Sequence, residues 1–411
     1  MKKIYFLIAL ILVLNLNLSA QWEQQFTGYV NTLHGVTFIN NSPIGVAVGE
    51  QGRILKTDDG GYFWYNVNLT IGTFFKPVQF INSNTAITAG YLGSIARTTD
   101  AGETWVSISS PTTMQINGIS FIDANTGFAT GYSGILLKTT NGGVNWTYTW
   151  LTNTMLDLHM FDATTGIVCG SGGNILKTTN GGVNWSPRYS NPPVSVDLNG
   201  MAFLNASTGV IVGNSGTILK TTNGGNTWRK DTTNITSNTL FGVAFPNANR
   251  ITAVGGSGTI ITSINGGTSW VQQASGTTSS LYSVYFRDQN NGCTVGEGGI
   301  ILTTTNGGSV FVNQIGTEVP DKYSLGQNYP NPFNPSTKIK FSIPSGNQTN
   351  GLVELKVFDF TGREIAVLVK ENLLAGMYEV TFDGSGLSSG TYFYQLKTGN
   401  FRETKKLMLL K

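Results

Sequence analysis

Two glutamates in corresponding places are the first residues of this sequence that could do chemistry together. Glu50 and Glu297 each follow the first glycine of a Gly-Glu-x-Gly hairpin. Paired carboxylates across a cleft are what glycoside hydrolysis needs, one to protonate the leaving oxygen and one to attack or to activate water. If the chain is an enzyme, these are its catalytic candidates; read as solvated turn residues they leave no catalytic set, and that reading is preferred. His34, Asp157 and His159 form a second group, on strands expected to lie innermost, where polar side chains line a channel and bind a ligand or water. Two histidines in separate repeats give no metal-ligand spacing, so neither a metal nor a cofactor is expected. The third group is regular: Lys56, Arg97, Lys138, Lys177 and Lys220 hold one place in five successive repeats, with Thr262 and Thr303 in the last two. Such an arc of positive charge could hold an anionic polymer or partner. Alternatively, the lysine stems cover apolar surface at the solvent end of a strand. The Gly-Gly pairs precede strands rather than helices, so they are not phosphate cradles.

The elements that must carry these residues follow from an internal repeat. Thr-Thr-Asn-Gly-Gly-x-x-Trp occurs at Thr139 to Trp146, Thr178 to Trp185 and Thr221 to Trp228, and looser copies end at Trp64, Trp105 and Trp270, a spacing of 39 to 43 residues. A seventh copy places Phe311 at the tryptophan position. Phe38, Phe80, Phe121, Phe161, Phe203, Phe245 and Phe286 recur with the same period, as do Gly49, Gly90, Gly131, Gly170, Gly213, Gly255 and Gly296, each followed three residues later by another glycine. Each repeat reads as four short strands joined by glycine turns, the pattern of a propeller blade. Seven sets of the first three strands meet eight candidate fourth strands, because Trp22-Glu-Gln-Gln is similar to Trp270-Val-Gln-Gln. The sequence therefore predicts that Trp22 to Phe26 completes the seventh blade and closes the ring, removing an exposed edge.

Bulk properties agree. With 52 glycines, 11% charged and 40% hydrophobic residues in 411, the chain can bury a large core and favours short strands over helices. A net charge of +3, with signs mixed throughout, gives no general field for nucleic acid. Lys2 and Lys3, the apolar run Ile4 to Leu14 and the small residues before Ala20 read as a signal peptide of residues 1–20, leaving no membrane span after cleavage. Cys169 and Cys293 fall in repeats too far apart around a ring for a disulfide and are expected as buried thiols.

The repeat ends near Gly316. Residues 317–327 read as a linker, and 328–411 as a sandwich with strands at Lys338 to Ile343, Val353 to Phe358, Met377 to Phe382, Gly390 to Leu396 and Thr404 to Leu410. The expected fold is all-β: a seven-bladed β-propeller over 21–316, followed by an immunoglobulin-like β-sandwich.

Resemblances sharpen this. The turn phrase resembles the Asp-box, S/T-x-D-x-G-x-T-W, matched in full by Thr98-Thr-Asp100-Ala-Gly102-Glu-Thr104-Trp105. Asp59 fills the acidic place before Trp64, and Asn141, Asn180, Asn223 and Asn265 fill it before Trp146, Trp185, Trp228 and Trp270. Asp or Asn there accepts backbone N–H bonds within its own turn, so a structural role is expected. Asn328-Tyr-Pro-Asn-Pro-Phe333, Phe358-Asp-Phe-Thr-Gly-Arg363, Leu387-Ser-Ser-Gly-Thr-Tyr392 and Lys405-Lys-Leu-Met-Leu-Leu-Lys411 together resemble the type A C-terminal sorting domain of the type IX secretion system. That resemblance implies export across both membranes, with the secretion machinery as partner, to the cell surface or the medium. The repeats resemble the photosystem II assembly-factor repeat family and, more distantly, sialidases and xyloglucan hydrolases. None of Arg53, Arg97, Arg188, Arg229, Arg250 and Arg287 sits in the Arg-Ile-Pro motif of sialidases. The expectation is a monomeric, non-catalytic binding or scaffold protein whose ligand is a polysaccharide or a surface protein. A secreted glycoside hydrolase and a periplasmic or surface assembly factor are the alternatives.

Overall fold

The structure, a computed structural model, describes residues 22–67, 73–308, 313–316, 320–344, 352–373, 375–384 and 387–411. Residues 1–20 and Phe311 lie outside them.

Each repeat contributes an antiparallel sheet whose strands neighbour one another in chain order; the fifth also gains a parallel strand, Ser190–Asn191, beside Trp228–Lys230, and the seventh takes its fourth strand from Glu23–Gln25. The first sheet is Leu33–Phe38, Gly45–Gly49, Ile54–Thr57 and Tyr65–Val67, and six more follow its pattern through Ile301–Thr304. The second strands, such as Gly45–Gly49 and Gly209–Gly213, are buried along their whole length. They carry small and β-branched residues because sheets press on both faces. The first strand of every sheet packs on the first strand of the next, and Leu281–Phe286 packs on Leu33–Phe38, so the row closes on itself. No described helix is long and apolar enough to cross a membrane.

The paired glycines have steric causes. A Cβ on Gly90 would overlap the Phe74 carbonyl, and one on Gly93, at φ +70°, would overlap that of Thr112. Between them the hairpin turns through a residue at positive φ in each repeat.

The closing strand forms as the sequence predicts. Glu23–Gln25 pairs antiparallel with Ile301–Thr304 as the fourth strand of the seventh sheet. Trp22 is 1% exposed and donates Nε1–H to Gln273 Oε1 at 2.8 Å. It meets Phe286 edge-on at 5.9 Å, as Trp64 meets Phe38 at 6.0 Å, Trp146 meets Phe121 at 5.9 Å and Trp228 meets Phe203 at 6.0 Å. Trp22 also lies over Gly308, the turn glycine of the last repeat. The tryptophan of the seventh repeat therefore comes from the other end of the chain.

Two sequence expectations shift by register. In the fourth repeat Met160, not Phe161, pairs with the strand-two glycine as Phe38 and Phe203 do. Asp157 then aligns with Gly35, Gly118, Gly200 and Gly242, and His159 with Thr37. Farther on, Asn313–Gly316, expected at the end of the propeller, pairs with Gly376–Asp383 in the C-terminal unit, as Ser324–Leu325 in the expected linker pairs with Ser336–Ile343. Short strands whose partners lie far along the chain leave little trace in local pattern.

The C-terminal unit has two four-stranded sheets. One is Asn313–Gly316, Gly376–Asp383, Ser336–Ile343 and Ser324–Leu325; the other is Glu364–Asn372, Leu352–Phe358, Gly390–Thr398 and Phe401–Leu409. Ile339, Phe341, Leu355, Val357, Tyr394 and Leu407 share their core. The Asn-Pro-Phe motif is tied into it: Phe333 is buried and exchanges backbone bonds with Met408 and Leu410, while Tyr394 Oη donates to Gly326 O and accepts from Asn328 N.

Candidate functional site

The converging first strands enclose a cavity of about 220 Å³. Its polar lining comes from one place on successive strands: His34, Lys76, Asn117, Asn199 and Tyr282, with Phe241 and Leu156 in the same series, and from Asp157 one place on. Asp157 stands where four other repeats have glycine and the seventh has Ser283. Its Oδ1 accepts from Leu158 N at 2.8 Å and its Oδ2 from Met201 N at 2.7 Å. Burial pushes its pKa up to about 6, against the pull of these donors and of Lys76. Burial lowers the Lys76 pKa, opposed by the Asp157 charge, and the Lys76 amine lies 3.4 Å from Asn117 Oδ1. His34 is brought down to about 4 by burial and by Lys76, so it is neutral near pH 7. Its ring sits 4.5 Å from Phe74 and 4.7 Å from Tyr282, and its buried Nε2 has no hydrogen-bond partner. His159 does not reach the cavity. It forms a three-ring cluster with Phe161 and Phe203, each 5.0 Å from it and 4.7 Å from one another, and burial lowers its pKa to about 4.

Glu50 and Glu297 occupy the hairpin tips at one mouth of this cavity. Glu50 Oε1 is 3.9 Å from His34 Nε2, Glu297 Oε2 accepts from Ser280 N at 3.3 Å, and both carboxylates act on the Tyr282 hydroxyl, whose pKa is raised mainly by burial. The ring thus brings the two acids to one rim. The other tips differ in kind. Tyr91-Leu92 and Tyr132-Ser133 present apolar side chains where Ser171-Gly172, Asn214-Ser215 and Gly256-Ser257 present small polar ones. Tyr91, Leu92 and Tyr132 are 51%, 62% and 49% exposed, and Leu92 holds φ 53°. A leucine in the left-handed region is held against its steric preference.

The basic series lies elsewhere, and its head groups cross from sheet to sheet. Arg97 Nε donates to Gly142 O at 2.8 Å, Lys138 Nζ to Gly181 O at 3.3 Å, Lys177 Nζ to Gly224 O at 2.8 Å, and Lys220 Nζ to Gly267 O. Each acceptor is the first or second glycine of the next repeat's turn. Lys56, 2% exposed, reaches Glu103 of the next repeat at 3.1 Å and also Asp58 and Tyr65. Burial alone would lower its pKa, but these partners hold it well above the usual lysine range. Where threonine replaces the cation, an arginine from another place spans the seam. Arg250 donates to Gln289 O and Asn306 O, both at 3.1 Å, and Arg287 lies against Gly60 and 5.5 Å above the Phe38 ring. Sequence comparison missed these two arginines, and also Lys76, because each occurs once in its column of the repeat.

The turns themselves are uniform. Asp100 Oδ1 accepts from Thr98 Oγ1 and Thr104 N, the Thr98 Oγ1 accepts from Gly102 N, and Trp105 Nε1 donates to Gly102 O. Asn141, Asn180, Asn223 and Asn265 repeat the pattern of acceptance. At Asp59 and Asp100 burial would raise the pKa, but the turn's donors hold it below the usual range. Among the described residues no group of three or more histidine, cysteine or acidic side chains could hold a metal. Cys169 and Cys293 are free and buried.

Fold and site together describe a β-propeller repeat protein joined to a two-sheet C-terminal unit, and both parts match known families. Residues 327–410 match the secretion system C-terminal sorting domain, and residues 149–234 and 230–305 match the photosynthesis system II assembly factor YCF48. Among solved structures the chain is similar to YCF48 bound to D1 peptide, at 22% identity and TM-score 0.60, over 70% of this chain and 97% of that one. It is also similar to YCF48 from Cyanidioschyzon merolae, at 21% identity and TM-score 0.59, over 69% and 98%. At these identities the likeness is one of fold. No curated protein matches the sequence.

Proposed function

We propose that this chain is a non-catalytic binding scaffold, carried out of the cell by the type IX secretion machinery and placed on the surface or in the medium. In this reading residues 1–20 are a signal peptide, the repeat sheets are a seven-bladed propeller stapled by Asp-box turns, and the unit from Asn313 onward is an immunoglobulin-like sandwich read by the secretion machinery. Its ligand is a polysaccharide or a protein segment. The observation that carries the binding role is the pair of apolar hairpin tips. Tyr91, Leu92 and Tyr132 are exposed on one arc beside the cavity mouth, and Leu92 keeps a left-handed backbone that other repeats give to serine, glutamine or glycine. Exposed apolar side chains on a strained turn contribute nothing to folding, and their cost points to contact with something else. That a structure of this fold carries a bound peptide supports the same use of the ring.

The test uses the mature full-length protein on a polysaccharide panel, with soluble sugar ends assayed in the same tubes and co-purifying proteins identified. Retention or a single partner is expected, and both should be lost in the triple variant Tyr91→Ala, Leu92→Ser, Tyr132→Ala at unchanged melting temperature. A triple variant that binds like the parent would overturn the assignment of this face. Glu50 and Glu297 on one rim favour the glycoside hydrolase as the second reading; release of sugar ends, abolished by Glu50→Gln or Glu297→Gln, would establish it instead.

A further inference from the structure

The cavity on the ring axis has a donor and acceptor pattern of its own. Lys76 brings an ammonium with three N–H donors, of which one meets Asn117 Oδ1 at 3.4 Å. Asp157 brings a carboxylate whose two oxygens each accept one backbone bond and have capacity for another. Asn199 commits its Nδ2 to Leu240 O and Asn214 Oδ1, both at 2.9 Å, which leaves its carbonyl oxygen as an acceptor. His34 contributes a buried Nε2 with no partner. Phe241 and Tyr282 add two ring faces, 5.0 Å apart and inclined at 49°.

We propose that this cavity binds one neutral sugar residue at the end of a glycan, entering along the ring axis. The inference rests on the binding reading above and names the ligand class. Three arguments carry it. A hydroxyl both donates and accepts, so adjacent hydroxyls can satisfy Lys76 and Asp157 together, whereas a simple anion or cation would satisfy one and oppose the other. The apolar face of a pyranose packs on aromatic surface, and Phe241 and Tyr282 are the aromatic residues of the lining, with His34 against Tyr282. The cavity, at about 220 Å³, is smaller than the roughly 300–1,000 Å³ of pockets for drug-sized ligands, which suits one ring rather than a threaded chain. Charge selects further: Lys76 and Asp157 offset each other within, and Glu50 and Glu297 at the rim disfavour acidic sugars.

The experiment is saturation-transfer NMR and calorimetry on the mature full-length protein with glucose, galactose, mannose and N-acetylglucosamine as separate probes. At least one should bind, and Lys76→Met should weaken it by about tenfold or more, equivalent to about 1.4 kcal/mol. Replacing a partly buried lysine by methionine keeps the stem, so the variant should fold; Phe241→Ala, with loss of the ring face, is the second probe. No binding to any of the four sugars, or affinities in both variants within about twofold of the parent, would overturn the proposal. The two readings fail separately. Retention on polysaccharide that survives Lys76→Met but not the hairpin triple variant removes the sugar site and leaves the scaffold standing.

Discussion

Trp22→Ala measures what ring closure contributes. Trp22 is 1% exposed, stands edge-on to Phe286 and is the donor to Gln273 Oε1. Truncating a buried tryptophan costs about 3–5 kcal/mol, and leaving the buried Gln273 oxygen without its donor adds about 1 kcal/mol more. A total of about 5 kcal/mol follows. Unfolding entropy near 2.1 cal/mol/K per residue, over roughly 290 residues melting together, gives about 0.6 kcal/mol/K, so Tm should fall by about 8 °C. The assay is scanning calorimetry of the mature chain at neutral pH, with Trp105→Ala as a matched change inside the ring, where the indole is 6% exposed and bonded to Gly102 O. Deletion of residues 21–28 should lower Tm further, because it also strips the strand Glu23–Gln25 from Ile301–Thr304. A fall of less than about 2 °C for Trp22→Ala, beside a full effect at Trp105, would refute the argument that the first strand closes the fold.

Two further outcomes are expected. The drop of His159 from 6.5 to about 4 means that the unfolded chain takes up its proton first on acidification, so the neutral buried form contributes stability above pH 6.5 that is lost toward pH 4; at 1.36 kcal/mol per pKa unit this is about 3 kcal/mol. Asp157, raised to about 6, works in the opposite sense over much the same window, so His159→Phe should lose about 3 kcal/mol less than the parent between pH 7 and 4 in urea titrations, and an unchanged pH profile would refute the assignment. Lys177→Met removes the bonds to Gly224 O at 2.8 Å and Asn226 Oδ1 at 2.9 Å and should cost about 1–2 kcal/mol in the same titrations; a neutral result would deny the cation any part in joining sheets.

The repeat made much of this architecture readable before any coordinates, because a period near 40 residues repeats its glycines, tryptophans and turn acids where backbone geometry leaves no choice. Gly90 and Gly93 are examples, each pressed against a carbonyl. Closure was legible too, since Trp22-Glu-Gln-Gln copies a fourth strand. Legibility failed where one repeat departs from the rest. His159 is expected beside Asp157 on the innermost strand, but Met160, not Phe161, meets the strand-two glycine in the fourth repeat, so His159 takes the place of Thr37 and packs on Phe161 and Phe203. Lys76 went unnoticed for the same reason: a side chain that appears once in seven has no pattern to betray it. The basic series was visible as a column of charges, but its targets, glycine carbonyls of the next repeat, are defined only by the curvature that brings neighbouring sheets together.

Those targets have a consequence for where such a ring can work. Arg97, Lys138, Lys177 and Lys220 each direct a cation at a peptide dipole, and only Lys220 of the four adds a carboxylate, Asp231 at 3.5 Å. Mobile ions screen attraction between separated charges over a Debye length that shrinks from about 10 Å at 0.1 M to about 3 Å at 1 M salt. A short hydrogen bond from a cation to a carbonyl lies inside even the smaller distance and has no opposite charge to be shielded from it. The four seams that these cations span are therefore built to hold in brine as they do in fresh water, unlike the ion-paired seam of Lys56 and Glu103, and this fits the exported scaffold proposed above.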